Sequence, residues 1–279
     1  MPEIVADLHL HSTFSDGLFT PAELLELVVS KGLRAFSLTD HDSIGGFASL
    51  TPTPKVTFIP GIELTSTYDG KEVHMLGYYI NPNEPELGEV LKLIAIRRNQ
   101  RLMDIVDKLN NAGKIALDKD EIAENLGAGS YNRLNLARFM VKKGLAQSIE
   151  RVFANYLGDS SEAYEAVNYF SPAKAIKLIH KCGGLAFLAH PYTNNTSGFI
   201  PELVECGLNG VEAFHPSHGA SEVKKCLDWA ARFKLGVSGG SDFHGNENSP
   251  RKILSAGLNG ERLVDFLSLD PSRDLAATT

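Results

Sequence analysis

The sequence predicts an α/β fold: a distorted (β/α)7 barrel of mainly parallel strands, interrupted by a block of helices. Three observations carry this. Short apolar runs alternate with amphipathic helices in the first 80 residues and again after residue 168, the pattern of strands joined by crossover helices. Between about Asn81 and Asn168 no clear strand is found. Acidic residues and histidines gather at the C-terminal ends of about seven strand-like runs, the face where barrels collect their sites.

The first strand is "VADLHLHS". Alternation along a strand places Asp7, His9 and His11 on one face and Ile4, Ala6, Leu8 and Leu10 on the other. "TPAELLELVVSKG" is a helix, with Thr20 as N-cap, Pro21 at the first helical position, Glu23 completing a capping box and Gly32 as stop. "RAFSLTDHD" is the second strand, followed by a short helix near Ser43 to Leu50. "KVTFIPGIEL" and "KEVHMLGYYI" are the third and fourth, joined by a turn at Asp69-Gly70.

The helical block opens with "LGEVLKLIAIRRNQRLMDIVDKLNNAG", where Leu102, Ile105, Val106 and Leu109 fall at helical spacing. A second helix is capped by Asp118 with Glu121 three residues on. "NRLNLARFMVKKG" and "SIERVFANYLG" supply two more. Strands then resume as "LAFLAHP", "GVEAFHPSH" and "LGVSGGSDFH", each preceded by a helix; the first of these helices has Ser171 as cap and Gly183 as stop. Residues 1–80 and 169–269 are therefore expected to form the barrel, 81–168 an inserted helical subdomain, and 270–279 a solvated tail.

The totals narrow the function. The chain has 279 residues, 43% of them hydrophobic, enough for a large core. A net charge of −7 argues against coating nucleic acid through a broad basic surface. Cys182, Cys206 and Cys226 match no metal spacing and read as reduced thiols of a cytoplasmic protein. No secretion signal or membrane-spanning run is visible, and no obligate protein partner.

Of nine histidines, seven fall at strand ends: His9, His11, His41, His74, His190, His215 and His244. Asp7, Asp16, Asp40, Glu63, Glu212 and Asp242 lie among them. His180, inside a helix, reads as structural, and His218 lies in a loop. Imidazole and carboxylate together are the donor set for divalent zinc, manganese or iron. So many donors exceed the needs of one ion, and Glu63 is placed to bridge two. Multinuclear centres clamp the attacking and leaving oxygens of an in-line displacement, which suits phosphate ester hydrolysis best.

"DLHLHSTFSDG", "LTDHD", "GIE", "AHP", "VEAFHPSH" and "GGSDFHG" resemble, in order, the motifs of the PHP family, named for polymerase and histidinol phosphatase. The resemblance runs from Ala6 to His244. It implies a seven-stranded distorted barrel, a trinuclear metal centre and, in the nearest subgroup, a helical insertion after the fourth strand. It implies action on 3',5'-nucleoside bisphosphates, with 5'-to-3' trimming of short single-stranded RNA. By position, His9, His11, Glu63 and Asp242 would hold one ion. Glu63, His74 and His190 would hold a second, and Asp16, His41 and His244 a third. Two or three ions are expected, manganese first, with zinc or iron as alternatives. Asp7 and Asp40 would orient ligand histidines, and Glu212 is open between that role and a buried strand-end carboxylate. His215 and Asp16 would act in catalysis, and His215 and His218 in substrate binding. Arg133, in "SYNRLNLARF", would clamp a phosphate beside Asn135, where the family more often carries a His.

Three rivals remain: a histidinol-phosphate phosphatase from the same family, an amidohydrolase, and a metal-stabilised module without catalysis. Amidohydrolases usually place a bridging Lys in mid-barrel, and no strand end here has one. Non-catalytic modules tend to lose ligands, and all nine expected by resemblance are present.

Overall fold

Most strands are four to eight residues long and largely buried, the longest, Thr57–Tyr68, having twelve. The computed structural model describes residues 3–51, 53–126, 131–158, 161–164, 170–193, 195–246 and 251–273. The end of the expected insertion at Asn168 and the last part of the expected tail, 274–279, lie outside them. The chain divides into two compact units, Met1–Gly88 with Asn168–Thr279, and Glu89–Val167.

In the first unit, β1 (Ile4–Leu10) leads to α1 (Pro21–Ser30), which has the capping box between Thr20 and Glu23. β2 (Ala35–Leu38), a short 3-10 turn at Gly45–Ser49, β3 (Thr57–Tyr68) and β4 (Lys71–Tyr78) follow. Asp69 and Gly70 both take positive φ, 47° and 70°, which closes the β3–β4 hairpin in two residues. Later come α6 (Pro172–Lys181), β5 (Leu185–Leu188), α7 (Ile200–Glu205), β6 (Gly210–Phe214), α8 (Ala220–Phe233), β7 (Gly236–Gly239) and α9 (Gly260–Leu267). Ser171 sits at the N-cap of α6, but its side chain makes no capping hydrogen bond.

The sheet runs β7-β6-β5-β4-β3-β2-β1-β8. It departs from seven strands: Leu258–Asn259 adds β8, antiparallel to β1. Two residues are too short to leave an alternation signal in sequence. The pairs β1–β2, β2–β3, β5–β6 and β6–β7 are parallel, while β3–β4 and β4–β5 are antiparallel. That mixture distorts the barrel. Closure falls at the end of β7, where the His11 amide donates to the Phe243 carbonyl at 3.0 Å. A Cβ on Gly240 would lie 2.3 Å from the Cβ of His9, so only glycine lets these backbones approach.

The register of β1 is not uniform. Its pairing with β2 slips between Asp7 and Leu10. Ala6 and Leu8 join a core with Leu76, Tyr78, Phe187 and Phe266, whereas Leu10 joins another with Leu24, Val28 and Phe36. The bulge re-aims the strand at the position where the histidines begin.

The second unit holds α2 (Pro85–Asn111) from Glu89 onward, then α3 (Lys119–Leu126), α4 (Arg133–Lys142) and α5 (Ile149–Val152), ending in a π turn at Phe153–Leu157. Leu102, Val106, Leu136, Met140 and Val152 are among its buried core. Asn110 fixes the loop after α2 by pairing its amide with both the amide and the carbonyl of Leu117, each at 2.8 Å. Among the described residues no helix is long and apolar enough to cross a membrane.

Candidate metal centre

Glu63, near the middle of β3, is fully buried and lies among five imidazoles. Its Oε2 is 3.1 Å from His9 Nε2, 3.2 Å from His11 Nε2 and 3.1 Å from His41 Nδ1. Its Oε1 is 2.8 Å from His74 Nδ1 and 3.0 Å from His190 Nε2. Asp242 follows β7 and places Oδ1 3.2 Å from His11 Nε2 and 3.6 Å from His9 Nε2. Asp16 Oδ1 is 3.2 Å from His244 Nε2. Three groups of donor atoms result: His9, His11, Glu63 and Asp242; His11, Asp16, His41 and His244; and His41, Glu63 and His74.

These distances suit ligands of a common ion better than hydrogen bonds. His11 Nε2 and His41 Nδ1 are buried and reach no hydrogen-bond partner among the described residues, although carboxylate oxygens stand 3.1–3.2 Å away. Ligands about 2.1 Å from one ion lie roughly 3–3.4 Å from each other. Imidazole nitrogens and carboxylate oxygens fit a divalent cation, so the donor set passes on chemistry as well as spacing.

Other contacts fix which nitrogen faces inward. Glu212 Oε1 accepts from His9 Nδ1 at 3.0 Å, leaving Nε2 for the centre, and Glu212 Oε2 accepts from the His190 amide at 2.8 Å. Glu212 is thus a buried strand-end carboxylate that also orients a histidine. The Asp242 carbonyl accepts from His244 Nδ1 at 2.8 Å, which again frees Nε2. Asp40 accepts from the amide and hydroxyl of Ser12 and from the hydroxyl of Ser15, each at 2.7 Å, and Ser15 Oγ stands 3.4 Å from His11 Nδ1. Asp7 touches no imidazole ring in its hydrogen bonds; it accepts from the amides of Ser241 and His9 and ties β1 to the end of β7. His190 and Asp242 both take positive φ, 24° and 52°, a backbone strain concentrated at the site.

The electrostatics follow from burial opposed by charge. Burial alone would raise the carboxyl of Glu63, but His41, His9 and His74 hold it well below its usual range. Asp16 and Asp242 are lowered in the same way, by His244 and His41 and by His9 and His244. Burial would depress His11 and His74, yet Asp242 and Glu63 lift His11 to about 9, and Glu63 and Glu72 lift His74 to about 10. His41 goes the other way, to about 3, because burial joins repulsion from His11 and His74.

The model of the PHP domain matches residues 7–195. The chain belongs to the PHP family. As a PHP phosphoesterase it is a metal-dependent hydrolase. It is 30% identical to a 5'-3' exoribonuclease of Haemophilus influenzae, over 85% of this chain and 89% of that protein. It is 31% identical to a phosphoribosyl 1,2-cyclic phosphate 1,2-diphosphodiesterase of Eggerthella lenta, over 87% and 95%. A 3',5'-nucleoside bisphosphate phosphatase of Chromobacterium violaceum is 29% identical, over 88% and 90%. A solved structure from Bifidobacterium adolescentis has the same fold, with a TM-score of 0.86 at 24% identity over 96% of this chain and 97% of that one.

Two residues of this PHP site escaped sequence reasoning. Glu72 Oε1 is 2.7 Å from His74 Nε2. The spacing of two along one strand was the available signal. Arg251 Nη1 is 2.7 Å from Asp242 Oδ2; it lies in a loop, where no periodicity points to it. The remaining expected residues make the following contacts. His218 Nδ1 donates to the Ala213 carbonyl at 2.9 Å. Arg133 and Asn135 belong to α4 in the helical unit. Arg133 Nη1 donates to the Leu157 carbonyl at 3.0 Å and its guanidinium lies over the ring of Tyr164, while Asn135 Oδ1 accepts from Arg138 at 2.8 Å.

Proposed function

We propose that this PHP protein removes a phosphate from a nucleotide that carries two of them, a 3',5'-nucleoside bisphosphate being the leading substrate, and shortens 5'-phosphorylated RNA from its 5' end. One observation carries the metal part: both oxygens of Glu63 are shared, one by three imidazoles and the other by two. Two or three divalent ions, manganese first, would be held by His9, His11, Asp16, His41, Glu63, His74, His190, Asp242 and His244, with Glu63 shared between them. Bound there, they would supply the nucleophilic water and neutralise charge in an in-line displacement at phosphorus.

The chain's own residues do the rest. The Ser217 amide donates to His215 Nδ1 at 3.1 Å, so the proton of that ring sits on Nε2, which faces Asp242 Oδ2 at 3.3 Å. Burial lowers the His215 pKa further below its usual value than Asp242 and Glu212 can restore. His215 therefore serves as a neutral N–H donor to a phosphoryl or leaving oxygen. Asp16 stays ionised, held so by His244 and His41, and accepts hydrogen bonds from water or ligand. Arg251, one-third exposed, pairs with Asp242 and places a positive charge beside the site. Arg133 takes the phosphate that is not cleaved. Three cysteines without disulfides suit a cytoplasmic location.

The names of the relatives support nucleotide and phosphoribosyl phosphates as the substrate class. The test compares adenosine 3',5'-bisphosphate, 5'-AMP, 3'-AMP, phosphoribosyl 1,2-cyclic phosphate and histidinol phosphate on manganese-loaded enzyme. The bisphosphate should have the highest kcat/KM. Faster turnover of histidinol phosphate or of a monophosphate would overturn the two-phosphate substrate. Arg133→Ala should lose roughly 10²–10³ in kcat/KM on the bisphosphate and little on p-nitrophenyl phosphate. Equal loss on both would assign Arg133 to holding Leu157 alone.

A further inference from the structure

A row of aromatic rings leaves the metal centre. His190 and His215 have ring centroids 5.2 Å apart, His215 and His218 5.4 Å, and His218 and Tyr192 5.5 Å. Tyr192 is also a wall of a cavity of about 450 Å³, shared with Ser197, Lys225, Asp228, Trp229 and Arg232. Lys225 Nζ lies 5.6 Å from the Tyr192 ring and the Arg232 guanidinium 5.5 Å from the Trp229 ring. Neither the metal centre nor the phosphoesterase chemistry uses Tyr192, Ser197, Lys225, Trp229 or Arg232.

A second observation points to a ligand on the row. His218 is 9% exposed, and its Nδ1 is committed to the Ala213 carbonyl. Its Nε2 is therefore an acceptor in the neutral ring, and it is buried with no partner among the described residues. A buried acceptor without a donor is costly, and an O–H group, of water or of a ligand, satisfies it.

We propose that this row is the path of single-stranded RNA away from the metals, with His218 Nε2 accepting a ribose 2'-hydroxyl and the cavity receiving the base of a following nucleotide against Trp229. This rests on the nucleotide phosphoesterase function above. Bases stack on aromatic side chains without regard to sequence, at about 1–3 kcal/mol each. Lys225 and Arg232 meet the following phosphate. Asp228 does not cancel them, because Lys224 Nζ pairs with it at 2.7 Å. A duplex cannot enter, since its base faces are already stacked. The 2'-hydroxyl is the group that separates RNA from DNA, and an acceptor left unpaired by a deoxy sugar penalises the wrong substrate.

Trp229 is the chain's single tryptophan, so its fluorescence reports the cavity without any turnover. Metal-loaded protein is titrated with 5'-phosphorylated pentaadenylate carrying phosphorothioate linkages, and separately with adenosine 3',5'-bisphosphate. Saturable quenching is expected with the RNA and not with the bisphosphate. Lys225→Glu with Arg232→Glu, both exposed positions, should weaken RNA binding at least tenfold, while the charge control Lys31→Glu should leave it unchanged. The 2'-deoxy oligomer should bind more weakly than RNA, and that difference should vanish in His218→Ala and partly return in His218→Gln, which keeps a carbonyl acceptor. Equal quenching by the bisphosphate, indifference to charge reversal, or equal loss of ribo and deoxy binding in His218→Ala would each overturn the path. Turnover of the bisphosphate by the unaltered enzyme is scored separately, so failure of the path is distinguishable from failure of the function.

Discussion

In the helical unit, among the described residues of Glu89–Val167, no polar or charged residue is buried as a whole, although Arg101 Nη2 is, and ion pairs such as Lys119 with Asp107 and Lys114 with Glu162 lie at the surface. The barrel unit does the reverse: His9, His11, Glu63 and Glu212 are fully buried, and Asp16, His190, His215 and Asp242 nearly so. Both units have apolar cores. Only the barrel unit takes whole carboxylates and imidazoles out of water, at a cost that mutual pairing and a bound cation must offset. Buried polarity therefore marks where chemistry is done, and its absence marks a unit held by ordinary helix packing.

The contrast can be broken at several points. The largest effect is expected at Glu63. Glu63→Gln removes the one charge shared by five imidazoles, so activity should fall to background and bound manganese below one ion per chain, read by phosphate release and elemental analysis. A variant that kept its metals would show that Glu63 is an ordinary buried carboxylate. Next in size is Leu136→Ala in the helical core, where a fully buried side chain is truncated. Urea unfolding should show a loss of about 2–5 kcal/mol with metal content unchanged. Loss of metal in this variant would contradict the separation of the two units. Glu212→Gln is smaller: His9 keeps a hydrogen-bond partner but loses its charge. Manganese affinity should drop roughly 10–100-fold with little change in unfolding.

The two units also differed in how legible they were. The capping box at Thr20 and Glu23, the Asp69-Gly70 turn and the helical stripe through Leu102 and Val106 are local signals, and the local structure follows them. The histidines at strand ends were legible because a closed sheet brings its strand ends together. Three features were not. β8 is two residues long. The bulge in β1 depends on pairing with β2, which alternation in one strand cannot report. Arg251 reaches Asp242 through a loop, and such contacts carry no period.

The central claim is that the buried histidines and carboxylates are a metal centre, and manganese titration into metal-free protein at pH 7.5 tests it most directly. With His11 raised to about 9 and His74 to about 10, both rings carry a proton at that pH and must release it to bind an ion. The sign is the same for stability. Their charge contributes fully to the metal-free fold below the ordinary value of 6.5 and is lost as pH rises through about 9 and 10, so only metal-free protein should lose Tm in that range. Calorimetry in two buffers of different ionisation enthalpy counts ions and protons together. Two or three ions per chain with more than one proton released is the expected result. Fewer than one ion at saturating manganese, or binding without proton release, would contradict it.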